Sequence, residues 1–103
     1  MVTHNKIKCF EFKIGANNTT KQREIKKAES VLFNFGLGGF DVVLSRGFWI
    51  GEKKTYKENS FIISYLDYEK KLNITDAQTL KEILKRELKQ EDILLTQEEK
   101  TIL

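Results

Sequence analysis

Apolar residues recur along this chain with period two, then close to 3.6, then two twice over, then 3.6 and two again, and that order restricts its fold more than any other feature. Residues 7–14 alternate. Phe10, Phe12 and Ile14 face one way and Cys9, Glu11 and Lys13 the other, which predicts a half-buried strand. Gly15 ends it, and Asn17, Asn18, Thr19 and Thr20 supply turn chemistry. Thr19 with Gln22 reads as a capping box, after which Ile25, Ala28, Leu32 and Phe35 mark one helical face. Gly36, Gly38 and Gly39 stop that helix.

Residues 40–50 form the next strand pattern, with Phe40, Val42, Leu44, Phe48 and Ile50 on one face and Val43, Ser45, Gly47 and Trp49 on the other. Residues 51–59 read as a charged turn, and residues 60–68 alternate again, so the pair predicts a hairpin. Thr75 with Gln78 repeats the capping box, and Ala77, Leu80, Ile83, Leu84 and Leu88 give the stripe of a second helix. Residues 92–96 predict a short last strand, with 1–5 and 97–103 as loose termini. The order β-α-β-β-α-β predicts an α+β, ferredoxin-like sandwich: a four-stranded antiparallel sheet with two helices on one face. Its 103 residues make a single domain, 1–103, whose second sheet face is open.

The one cysteine, Cys9, cannot close an internal disulfide, and the one histidine, His4, lies in the expected loose start. A reducing, cytoplasmic setting follows as the expectation, with no membrane contact, since no run nears the ~18 apolar residues of a span and the start lacks the apolar core of a signal peptide. No metal-ligand or cofactor signature is present, so the expectation is no cofactor and no catalytic residue. Net charge is +3, unevenly placed: residues 1–57 hold 11 basic and 5 acidic groups, whereas 58–103 hold 7 and 10. A basic half of this kind suits an acidic or phosphate-bearing partner.

The segment Arg46-Gly47-Phe48-Trp49-Ile50-Gly51 sets an arginine, a phenylalanine and the sole tryptophan on a strand between glycines. With Tyr65 it predicts an aromatic platform of the kind that stacks bases or anchors a protein interface. Lys53, Lys54 and Lys57 add a basic hairpin tip. Residues 15–20 with Lys21 run from strand into helix and offer an anion loop, whereas the glycines at 36–39 run from helix into strand and read as a turn. Asp67 and Glu69 share one face at the end of the third strand and can be imagined around Mg²⁺, with no third ligand in view.

The runs of residues 14–22, 47–51 (Gly47-Phe48-Trp49-Ile50-Gly51) and 84–94 resemble a small uncharacterised family carried by phages, plasmids and integrative elements. The resemblance implies a mobile-element origin and assigns no activity. Binding is favoured over chemistry: a small protein-binding module, an anti-CRISPR-like inhibitor of a host defence complex. A nucleic-acid-binding domain is the alternative, a small metal-dependent nuclease the third reading, and a homodimer through the open sheet face a further expectation.

Overall fold

The computed structural model describes residues 5–15 and 21–103, with the side chains of Lys21, Trp49 and Tyr56 outside that description. The elements are β1 (Asn5–Gly15), α1 (Lys21–Phe35), β2 (Asp41–Ile50), β3 (Thr55–Leu66), α2 (Ile74–Glu87) and β4 (Leu94–Ile102). One antiparallel sheet runs β2-β3-β1-β4. Both helices cover the same face of it. Phe10, Phe12 and Ile14 of β1 and Phe61, Ile63 and Tyr65 of β3 join Ile25, Ala28 and Leu32 of α1 and Ala77, Leu80 and Leu84 of α2 in one core. This is the ferredoxin-like arrangement that the alternating periods predict. Truncating a fully buried member such as Phe12 to alanine costs about 3–5 kcal/mol, from lost burial and the cavity left behind.

The structure departs from the sequence expectation in four places. The turn between β2 and β3 is only residues 51–54, closed by Gly51 N–H donating to the Lys54 carbonyl at 2.9 Å. Residues 55–59 are strand, with Lys57 opposite Phe48, Glu58 opposite Gly47 and Asn59 opposite Arg46. Their charged side chains stand on an arm that extends past the helices, so polarity there does not oppose pairing. Residues 97–102 are likewise strand: β4 pairs from Leu94 opposite Lys13 to Ile102 opposite Asn5. The α2 N-cap is Asn73 rather than Thr75, its Oδ1 accepting from Asp76 N–H at 2.7 Å. The fourth departure is the end of α2, where Lys89 takes a positive φ of 54° and plays the part glycine plays in α1. In α1, Gly36 sits at φ 102°, Gly36 N–H donates to Phe33 and Leu37 N–H to Leu32. In α2, Lys89 N–H donates to Arg86 and Gln90 N–H to Lys85 in the same pattern. The Thr19 capping box and the anion loop of residues 15–20 with Lys21 fall outside the described residues.

Candidate functional site

Because side chains alternate along a strand, the register assigns every described sheet residue to a face. The face away from the helices is built in rows. Cys9, Leu66 and Glu98 form one; Asp41, Ser64, Glu11 and Thr96 the next; Val43, Ile62, Lys13 and Leu94 the third. Then come Ser45, Ser60 and Gly15, and beyond them Gly47 and Glu58.

The last two rows stand apart chemically. Ser60 is 1% exposed, and its Oγ has no hydrogen-bond partner among the described residues. A buried hydroxyl left unpaired costs about 1–3 kcal/mol, so this position is expensive unless something else pairs with it. Its neighbours across the sheet are small: Gly15 on one side and Ser45 on the other. Glu58 is exposed, two residues along the same strand face. A Cβ at position 15 would stand 3.9 Å from the Glu58 carboxylate and 3.9 Å from the Gln90 side-chain oxygen, so three elements converge here. Gly15, Ser45, Gly47, Glu58 and Ser60 thus form one small polar group at this end of the sheet face, with a buried unpaired hydroxyl, a second hydroxyl beside it and an exposed carboxylate. The next pair, Trp49 opposite Tyr56, borders it in the backbone register.

The residues singled out from sequence fare unevenly. Arg46 and Phe48 are exposed and lie on the helix-side face of β2, not on this one. Lys53, Lys54 and Lys57 are exposed at the arm's end, as expected of a tip. Tyr65 is corrected: it is buried on the helix side, so it joins no platform on the open face. Its hydroxyl donates to Asp67 Oδ1 at 3.2 Å. Burial, then the Asp67 charge and this hydrogen bond, then Glu69, push its pKa up to about 12. The Trp49 side chain, the centre of the sequence expectation, is outside the described set.

Asp67 and Glu69, the carboxylates considered for Mg²⁺, are engaged separately. Asp67 is buried, and besides Tyr65 it accepts from Lys71 N–H at 2.8 Å and Leu72 N–H at 3.1 Å, which folds the segment leading to α2. Glu69 is exposed and pairs with Lys71 at 2.8 Å. Among the described residues, Cys9, Glu11 and Glu98 are the three whose donor atoms come together, all within 4.8 Å, on the open face. The Cys9 thiol already meets Ser64 Oγ at 3.6 Å. A cleft of about 400 Å³ lies between the glycines at 36–39 and Tyr65, Tyr68 and Lys71. No sequence signal pointed to Ser60 or Glu58, because serine and glutamate in a polar stretch look like solvated surface until the register sets them beside Gly15 and Gly47.

No family model matches the chain, and no curated protein does. Solved structures do. A phage SAM lyase in its apo state matches at 23% identity with a TM-score of 0.69, over 94% of this chain and 89% of that one. The fold is shared end to end. A phage SAM lyase in complex with S-methyl-5'-thioadenosine matches at 20% identity and TM-score 0.64, over 93% and 88%. CPII, a nitrogen regulatory PII-like protein from Thiomonas intermedia K12 bound to ADP, AMP and bicarbonate, matches at 13% identity and TM-score 0.55, over 98% and 97%. No helix among the described residues is long and apolar enough to cross a membrane.

Proposed function

We propose that this protein binds S-adenosylmethionine beside Glu58 and Ser60, at this end of the sheet, and cleaves it to S-methyl-5'-thioadenosine. The observation that carries the reading is the unpaired, buried Ser60 hydroxyl beside Glu58, in a fold shared over nearly its whole length with a phage SAM lyase. The chemistry agrees with the composition of the site. When the carbon–sulfur bond to the four-carbon amino-acid fragment breaks, the bonding pair stays on sulfur and the sulfonium becomes a neutral thioether. A neutral leaving group needs no acid catalyst and no metal. The fragment's own carboxylate forms the new carbon–oxygen bond as the carbon–sulfur bond breaks, closing a lactone with no proton to place. A site for this reaction needs to hold the ligand in a reactive shape. Glu58 offers acceptor oxygens for the ribose diol and a negative charge for the sulfonium, while Ser60 offers a hydroxyl.

The test is direct. Purified protein incubated with S-adenosylmethionine is expected to yield S-methyl-5'-thioadenosine by chromatography. Glu58→Gln and Ser60→Ala are each expected to lower the rate about 10- to 100-fold, the size of a lost hydrogen bond in which a charged group takes part or a buried hydroxyl is served. Absence of product, together with no calorimetric binding of either compound, overturns the reading.

A second reading has its own observation. Phe48 and Ile50 are 65% and 85% exposed on the β2–β3 arm, which suits a protein partner. A second copy of this chain covering the arm and the open face is one such partner; a host defence complex inhibited by a mobile-element protein is the other.

A further inference from the structure

A second surface, distant in character from the Ser60–Glu58 group, lies on the helix layer. A groove of about 810 Å³ runs between α1 and α2, bordered by Gln22, Arg23, Lys26, Lys27, Ser30 and Asn34 of α1. On the α2 side it meets Ile83 and Glu87. Its α1 rim carries three cationic side chains, Arg23, Lys26 and Lys27. Four lysines elsewhere pair with acids: Lys71 with Glu69, Lys81 with Asp92, Lys85 with Glu82, Lys100 with Glu98. Arg23, Lys26 and Lys27 form no ion pair among the described residues, although Glu29 is on the same helix. Residues three and four apart on a helix sit about 5–6 Å apart, so the three charges form one patch. They occupy the first half of α1, where the helix macrodipole adds to their potential.

Val31 and Phe35 are half-buried, packing against the core on one side and lining the groove on the other. Around them the rim offers positive charge and hydrogen-bond donation, and the matching partner is rich in acceptors and negative charge. We infer that α1 docks a phosphodiester backbone, so that the protein binds nucleic acid without reading its sequence, through Arg23, Lys26 and Lys27 rather than through the hairpin lysines.

The probe is a fluorescein-labelled oligo-dT strand, followed by anisotropy across a salt series with the intact protein. Binding is expected to weaken steeply with salt. The triple variant Arg23→Gln, Lys26→Gln, Lys27→Gln is expected to bind at least tenfold more weakly, with a log–log salt slope shallower by about 2, because three cations no longer neutralise phosphates of the single strand. Its circular dichroism and its cleavage of S-adenosylmethionine are expected to match the parent, which separates failure here from failure of the proposed lyase reaction. Three results overturn the inference. One is unchanged binding by the triple variant. Another is loss of binding in Lys53→Gln, Lys54→Gln, Lys57→Gln instead. The third is equal binding of poly-glutamate, which would make the groove a site for acidic protein chains.

Discussion

At the scale of single residues, the Tyr65–Asp67 pair links a core side chain to the path of the following loop. Asp67 takes hydrogen bonds from the tyrosine and from two backbone amides, so it fixes the segment between β3 and α2. The tyrosine is raised to about 12 from 10.0, first by burial and then by the carboxylate beside it. In the unfolded chain it titrates near 10, whereas in the fold it keeps its proton. Above 10 the unfolded state therefore holds fewer protons than the native state, and stability falls as pH rises. The contribution is fully present below 10 and is lost as pH approaches 12, at roughly 1.4 kcal/mol per pH unit in that window. Denaturant titrations at a series of alkaline pH values check this: Tyr65→Phe is expected to flatten the alkaline limb. An unchanged limb in that variant assigns the loss to other groups. The same pair shows what the fold does with a carboxylate that the sequence offers as a metal ligand. Two carboxylates at a strand end look like ligands, and only the fold shows that both oxygens of one of them are taken.

At the scale of elements, β4 is where the structure and the sequence expectation differ most. Residues 94–102 alternate poorly, because most of their side chains are exposed on an edge strand. A strand of that kind is held by its backbone, which leaves no trace in hydrophobic pattern. β1 was legible for the opposite reason: it lies inside the sheet, and Phe10, Phe12 and Ile14 must all face the helices. Both helices were legible from their buried stripes, and the first stop from Gly36. The second stop was not, since Lys89 in a left-handed conformation carries no signature of its own. The Ser60–Glu58 group was the least legible part, being made by register across β1, β2 and β3. Deleting residues 97–103 decides how much β4 contributes. The deletion strips the partner from Asn5 through Phe10 of β1. At about 0.5–1.5 kcal/mol for each net backbone hydrogen bond, the loss is expected to be about 3 kcal/mol or more. Equilibrium unfolding measures it, and a truncated protein as stable as the parent would mean that the segment is a loose tail.

At the scale of the whole molecule, the shape argues for a partner. The extents are 56 × 31 × 22 Å and the radius of gyration is 15.4 Å, against about 13 Å for a compact chain of this length. The sheet outruns the helices: strands of 9 to 12 residues at about 3.3 Å a residue are longer than helices of 14 and 15 residues at about 1.5 Å. On the face that the helices cover farther along, the arm carries Leu44, Phe48 and Ile50, all exposed. Isolated apolar residues on a surface need no explanation, but Phe48 and Ile50 are neighbours on one strand face, with Leu44 beyond Arg46, and grouped apolar side chains mark interfaces. A second copy is the partner this geometry serves most simply, because a self-complementary contact buries the exposed arm side chains of both chains at once. Light scattering after size-exclusion chromatography is expected to show an oligomer for the parent and a monomer for the double variant Phe48→Asp, Ile50→Asp. The variant is expected to stay folded, since neither side chain belongs to the core. If cleavage of S-adenosylmethionine falls with the oligomer while Glu58 and Ser60 are intact, the site is complete only between copies. If the parent is a monomer at high concentration, the arm is free, and its exposed aromatic and aliphatic side chains are then best read as the contact for a different protein, which returns weight to the inhibitor reading.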